Sequence, residues 1–229
     1  MLIPITKIKQ ILDSLIAYIQ ADYTSAMTNN VETESFLYRV LYGNALGEFD
    51  FYTQGVNIFT RTDASARRIE TRLGFDLGIT KMPTIYVHQP AEIMKGVNTI
   101  SFGADDNSFY SNADGSNTDM LFRGFGSTFE WVITSPNINE VLLIYEVLHA
   151  ALISSVDSFT DDFNNINFTG KEYVARSDSM PDPLFIKAIQ LDIDYTKEVP
   201  KLIRRELLNL VEFYPGIVYD GNAISNDLI

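Results

Sequence analysis

The chain has 229 residues, 46% of them hydrophobic, enough for one sizeable core, and its 15 Phe and 12 Tyr exclude a disordered polypeptide. Its 17 Lys and Arg face 30 Asp and Glu, a formal net charge of -13, which argues against a broad nucleic-acid surface or adhesion to anionic lipid, because both draw on Lys and Arg. No cysteine is present, so disulfides, thiolate metal sites and cysteine nucleophiles are excluded as well.

From the N-terminus, Ile5, Ile8, Ile11, Leu12, Leu15, Ile16 and Ile19 recur at intervals of three and four. That spacing predicts an amphipathic helix, with Lys7, Lys9, Gln10 and Asp13 off its apolar stripe. The same charges interrupt the apolar run of a signal peptide, and no window supplies the ~20 apolar residues of a membrane span. Residues 22–35 are small and polar and read as a loop; 36–42 form a short apolar run that Gly43 and Gly47 end. Aromatic and β-branched residues over 49–60, around Gly55, predict a strand or hairpin arm. Residues 62–73, with Thr62 or Asp63 as a cap and several Arg in the body, predict a helix. Pro83 opens a strand over 84–88 that Pro90 is expected to end.

Residues 103–119 are the least hydrophobic stretch and read as a long loop or a hairpin tip. From 121 to 134 the period is two, with Phe125, Ser127, Phe129, Trp131 and Ile133 on one face of a strand. Asn137, followed three residues later by Glu140, makes a capping-box-like start to the clearest helix. Ile138, Val141, Leu142, Tyr145, Leu148, Leu152 and Val156 continue it, apolar around enough of its circumference to lie against a sheet. Gly170 precedes a short strand over 171–176, and Pro181 and Pro183 punctuate a turn. Phe185, Lys187, Ile189, Leu191, Ile193 and Tyr195 then alternate with a face that grows more polar toward Pro200. In the last stretch, Ile203, Leu207, Leu208 and Val211 suggest a short helix, Pro215-Gly216 breaks it, and the end reads as extended. The order predicts an α+β fold: a mostly antiparallel sheet packed against a long helix and the N-terminal amphipathic helix. The expected organisation is a core over 1–200, carrying the long loop 103–119, and a C-terminal helix and arm over 201–229.

Chemistry is hard to place on this frame. Of the two histidines, His88 ends a strand and His149 lies mid-helix, three residues after Glu146, without the second Glu-x-x-His that a di-iron bundle requires. Gly124 and Gly126 form a glycine pair inside a strand pattern, not a phosphate turn opening a helix. Asp105-Asp106 and Asp161-Asp162 fall in loops. Asn112, Asp114, Asn117 and Asp119 make an oxygen-rich segment, but an EF-hand alignment on Gly115 puts Tyr110 first and Leu121 last, where acidic ligands are needed. The group Arg67, Arg68 and Arg72 is the sole local basic candidate. No catalytic, cofactor-binding or metal-ligating residue is therefore assigned, and the expectation is a protein that is not an enzyme and needs no cofactor.

The order of elements, with Met82-Pro83-Thr84-Ile85-Tyr86-Val87, the strand running through Asn137 into the long helix, and Ser177-Asp178-Ser179-Met180-Pro181-Asp182-Pro183-Leu184-Phe185 turning into an alternating strand, resembles the neck and tail-completion proteins of tailed bacteriophages. The likeness covers residues 1–200, and the order is similar to that of the tail-terminator group; other neck and baseplate families share related builds. The resemblance implies a structural virion protein that forms a homo-oligomeric ring in the neck or tail, a hexamer among the candidates. It implies neighbouring neck, tail-tube or sheath proteins as partners, a place in the virion after assembly in the host cytoplasm, and no membrane or sequence-specific nucleic-acid partner. Three alternatives stay open: another baseplate or connector protein, a carbohydrate- or protein-binding module using Tyr52, Tyr110, Tyr173 and Tyr214, and a carboxylate-dependent hydrolase.

Overall fold

A computed structural model describes residues 4–60, 68–74, 82–95, 108–111, 117–156, 163–173 and 184–200. Helix α1 spans Pro4–Thr28, so it takes in the first part of the stretch read as a loop. The Thr24 and Thr28 hydroxyls bond back to the carbonyls of Gln20 and Thr24, 2.8 Å each, and so satisfy themselves without leaving the helix. A 3-10 turn at Glu32–Glu34 leads to α2, Phe36–Leu41, where Ser35 Oγ accepts from the Tyr38 N–H at 3.3 Å. Gly43, at φ 81, follows the C-cap residue Tyr42 and ends the helix in the left-handed conformation that glycine adopts without strain.

Strands β1 (Ala45–Leu46) and β2 (Phe49–Asp50) form a two-residue-loop hairpin with Gly47 at φ 62. The strand expected over 49–60 is then overturned: after β2 the chain forms helix α3, Phe51–Phe59. The Asp50 carboxylate accepts from the Thr53 N–H at 2.9 Å and caps it. Gly55, Ile58 and Phe59 recur on one buried face, and this helical spacing outweighs the β-forming composition. A Cβ at Gly55 would lie 2.4 Å from Leu41 Cδ1, so the missing side chain lets α3 approach α2.

The helix expected over 62–73 is also corrected at its end: Glu70–Leu73 is strand β3, parallel to β4, Thr84–Met94. Thr71 Oγ1 donates to Asp13 Oδ1 at 2.6 Å and accepts from Lys9 Nζ at 3.2 Å, tying β3 to the polar side of α1. Residues 62–67 of the expected helix lie outside the described residues, and Arg68 and Ile69 are not helical. The Met82–Pro83 peptide is cis. β4 does not stop at Pro90; its register against β6 shifts between His88 and Ala91, and the irregularity accommodates the missing N–H.

Strand β5 (Ser108–Ser111) pairs antiparallel with the start of β6 (Asn117–Ser135), so the stretch expected as a long loop or hairpin tip contains a hairpin. Helix α4, Ile138–Ser155, follows. Asn137 caps it through the Asn139 N–H at 2.9 Å, while the buried Glu140 carboxylate accepts instead from Ser135 Oγ at 2.7 Å. The capping box is thus redirected to the preceding strand end. α4 is apolar and long enough to cross a membrane by composition alone, but half of it is buried inside the protein, as a core helix is. β7, Asn164–Tyr173, is longer than the strand expected from 171, and pairs antiparallel with β8, Phe185–Pro200. The expected turn at 177–183 and the expected helix and arm over 201–229 lie outside the described residues.

The main sheet runs β3-β4-β6-β8-β7, mixed and mostly antiparallel. Its core face carries Ile85, Val87, Phe129, Trp131, Ile133, Ile189, Leu191 and Ile193 against the apolar faces of α1 to α4. The α+β fold expected from the sequence is therefore present. The opposite face is not wholly polar: Tyr86, Val132 and Ala188 form a second small buried cluster. The chain divides into two units, Met1–Ile100 with Arg123–Lys197, and Ser101–Phe122 with Glu198–Ile229. The helices and most of the sheet belong to the first, and β5 to the second.

Candidate functional site

Among the described residues, the residue types that carry chemistry in the sequence are not brought together. His149 is half-buried, its ring stacked on Tyr145 at 5.5 Å, one turn earlier on α4. His88 is half-buried in β4. Among the described residues, no three His, Asp or Glu side chains are placed to hold a metal ion. Asp105, Asp106, Asp161, Asp162, Asn112 and Asp114 lie outside the described residues, while Asn117 and Asp119 stand in β6 opposite Ser111 and Phe109. Of the basic group, Arg67 lies outside the described residues, Arg68 is exposed, and Arg72 pairs with Glu70 at 2.9 Å. Tyr110 and Tyr173 stand in β5 and β7, and Tyr214 lies outside the described residues.

Polar side chains gather instead at one end of the sheet, on both of its faces. On the core side, the Tyr195 hydroxyl donates to Glu92, Lys197 Nζ reaches the same carboxylate at 2.5 Å, Ser127 Oγ lies 3.2 Å from the Tyr195 hydroxyl, and Gln89 Nε2 donates to Ser127 at 3.0 Å. Lys197 also lies 4.6 Å over the Phe125 ring. Hydrogen bonds from Lys197 and Tyr195 hold the Glu92 carboxyl below its ordinary range against the opposing effect of burial. Burial, and then the bond to Glu92, push the Tyr195 phenol up to about 12.

On the other face, Lys95 and Asn165 both donate to Asp194, and Thr128 Oγ1 donates to Asp192 at 2.7 Å. Burial alone would raise the Asp194 carboxyl, but those donors and the Lys95 charge outweigh it and lower it. A groove of about 580 Å³ runs here between β4, β6, β7 and β8. Gly126 forms part of its floor; a Cβ there would lie 3.1 Å from Lys95 Cε and 3.2 Å from Asp194 Oδ1. Every one of these carboxylates has a donor. The arrangement fixes strand ends and offers no unpartnered acid or base for proton transfer.

The second grouping is aromatic, at the corner made by the 3-10 turn, α2, the β1–β2 hairpin and α3. Tyr38 and Tyr42 stack with centroids 4.1 Å apart, and Tyr52 meets both edge-on, at 5.2 and 6.3 Å. The Tyr52 hydroxyl donates to Glu32; burial first, then that bond, raise its pKa. Tyr42 remains 62% exposed, and Leu46 on the adjoining hairpin 59%. Of this group the sequence singled out only Tyr52. The i,i+4 spacing of Tyr38 and Tyr42 was a readable signal once 36–42 is taken as a helix.

Other large apolar side chains lie open on β4, where Ile93 is 69% and Met94 60% exposed. β3 pairs with β4 only over 84–87. Among the described residues, no strand continues along β4 on that side over 90–94. β7 ends the strand order at the opposite side, so its outer edge likewise meets no described strand. No protein-family model matches the chain, and no curated protein matches it in sequence.

Proposed function

We propose that this protein is a non-catalytic structural subunit of a tailed-phage virion, forming a ring in the neck or tail by contact between copies along the edges of its sheet. The virion setting comes from the resemblance of its sequence to tail-completion proteins. The observation that carries the assembly reading is the state of the sheet edges. Strand edges with exposed apolar side chains are hazardous on a free monomer, and soluble proteins blunt or cover them. Here Pro90 and the irregular register blunt part of β4, yet Ile93 and Met94 remain open beyond them. The edge of β7 is of a different composition, with exposed Lys171 and Glu172. Two unlike edges on opposite sides of one sheet suit a head-to-tail contact, in which β4 of one copy meets β7 of the next by strand addition. Repeated with the right rotation, such a contact closes a ring.

The test is light scattering across a concentration series, with negative-stain images of the same samples, on the wild type and on Ile93→Lys. A closed oligomer that Ile93→Lys dissociates, with thermal unfolding unchanged, supports the reading. A monomer at every concentration, or an oligomer indifferent to Ile93→Lys, refutes assembly through this edge.

A further inference from the structure

The tyrosine corner has a composition that the sheet edges lack. Over residues 22–54 stand five carboxylates, Asp22, Glu32, Glu34, Glu48 and Asp50, and one cation, Arg39. Asp22 accepts from the Phe36 N–H at 2.6 Å, Glu32 accepts from Tyr52, and Asp50 caps α3, so these three have local partners. Glu34 and Glu48 are exposed and make no ion pair among the described residues. Between them in the chain stands Tyr42, which stacks one ring face on Tyr38, meets the edge of Tyr52 and stays 62% exposed. Aromatic faces attract cations through their quadrupole, and Arg stacks on them while its donors reach carboxylates. Tyr and apolar side chains together are also the usual anchors of protein interfaces.

We infer that the corner of Tyr38, Tyr42, Tyr52 and Leu46, with the exposed Glu34 on the adjoining 3-10 turn and Glu48 in the hairpin loop, is a docking surface for an arginine-bearing segment of another protein. An arginine seated there stacks on the exposed part of Tyr42, with its guanidinium donors toward those carboxylates. Leu46 covers the stem of that side chain. The inference deepens the assembly reading by giving one partner a chemistry, and it is tested without reference to a ring.

The probe is a short peptide alternating arginine and glycine, titrated by calorimetry into the full chain, with a lysine-glycine peptide in parallel. Arginine is expected to bind more tightly than lysine. Tyr42→Leu, which keeps the apolar area and removes the ring, is expected to weaken the arginine peptide about two- to fivefold, and Glu34→Gln to weaken it as well. Glu172→Gln on β7 makes the same change in net charge and is expected to leave binding as in the wild type. Equal binding by Tyr42→Leu and the wild type overturns the inference. So does a loss at Glu172→Gln as large as at Glu34→Gln, since both outcomes describe attraction by net charge alone. Light scattering on the same samples separates the third case: if Tyr42→Leu dissociates an oligomer and no peptide binds, the occupant is a second copy and the inference falls. Failure of the sheet-edge reading is read separately, from Ile93→Lys.

Discussion

Gly170 offers the sharpest test of how β7 packs on α4. A Cβ built there would lie 2.2 Å from the Tyr145 hydroxyl, 3.2 Å from Cζ and 3.7 Å from Cε2. Tyr145 is 8% exposed, stacks on His149 and carries Lys187 Nζ 4.0 Å over its ring, so it has little room to swing away. For ordinary contact at 3.4 Å the hydroxyl has to retreat by about 1.2 Å. Overpacking of this kind costs about 1–3 kcal/mol. Replacing a strand glycine recovers roughly 0.5–1 kcal/mol of chain entropy. Gly170→Ala should therefore be less stable than the wild type by about 0.5–2 kcal/mol, or a few degrees in Tm for a chain of this size. The offending atom is the hydroxyl, and Tyr145→Phe removes it, leaving 3.2 Å as the nearest contact. In a double-mutant cycle by urea unfolding, Gly170→Ala should cost about 1 kcal/mol less in the Tyr145→Phe background than in the wild type. A Gly170→Ala variant as stable as the wild type, or strictly additive effects in the double variant, would refute the close approach.

Three further outcomes follow from the polar contacts. Glu92 has a lowered pKa in the fold, so its contribution to stability is present above its ordinary value of 4.5 and is lost as pH falls through the folded value; Glu92→Gln should flatten the acid limb of a Tm-against-pH curve. Tyr195 is raised from 10.0 to about 12, so its contribution is present below pH 10 and is lost as pH rises toward 12; Tyr195→Phe should delete one late-ionising phenol from an ultraviolet titration, and Glu92→Gln should make it ionise earlier. Asp50→Ala should destabilise α3 by about 1 kcal/mol in urea unfolding, with Asp50→Asn close to wild type, because either side chain can accept from the Thr53 N–H.

How much of this was legible in the sequence depended on whether a signal was local. The alternation of β8 and of β6, the stripe of α1 and the Asn137 start of α4 all came through, because a buried face imposes its period on the residues that form it. Helix α3 was misread because Phe49, Phe51, Tyr52, Val56, Ile58 and Phe59 favour strands by composition, while the helix signal lay in a single cap, Asp50, and a four-residue spacing. β3 was misread because Arg72 and Glu70 look like a solvated helix face. Their strand conformation is set by pairing with β4 and by Thr71 reaching Asp13, 58 residues away. Pro90 gave a stop signal that the irregular register of β4 cancelled. The candidate surfaces were less legible than the fold. Tyr52 joins Tyr38 and Tyr42 only because the β1–β2 hairpin turns α3 back on α2, and Ile93 becomes an open edge residue only once β4 outruns β3.

The two proposed surfaces differ in how they hold charge, and ionic strength should therefore move them in opposite directions. Near the open stretch of β4, carboxylates are neutralised within the chain: Glu92 by Lys197 and Asp194 by Lys95. Contact along that edge would rest on backbone hydrogen bonds and on Ile93 and Met94, against the mutual repulsion of copies that each carry a net charge of -13. Salt screens the repulsion and leaves the attraction in place. At the tyrosine corner, Glu34 and Glu48 are unpaired among the described residues, and attraction to a cationic segment is the quantity that salt removes. As the Debye length falls from about 10 Å at 0.1 M to about 3 Å at 1 M, association between copies should strengthen while binding of the arginine peptide weakens. Scattering and calorimetry on one preparation at both salt concentrations read the two together. Association between copies that weakens with salt would mean that charge pairs hold the copies together, and strand addition along β4 would no longer be the explanation.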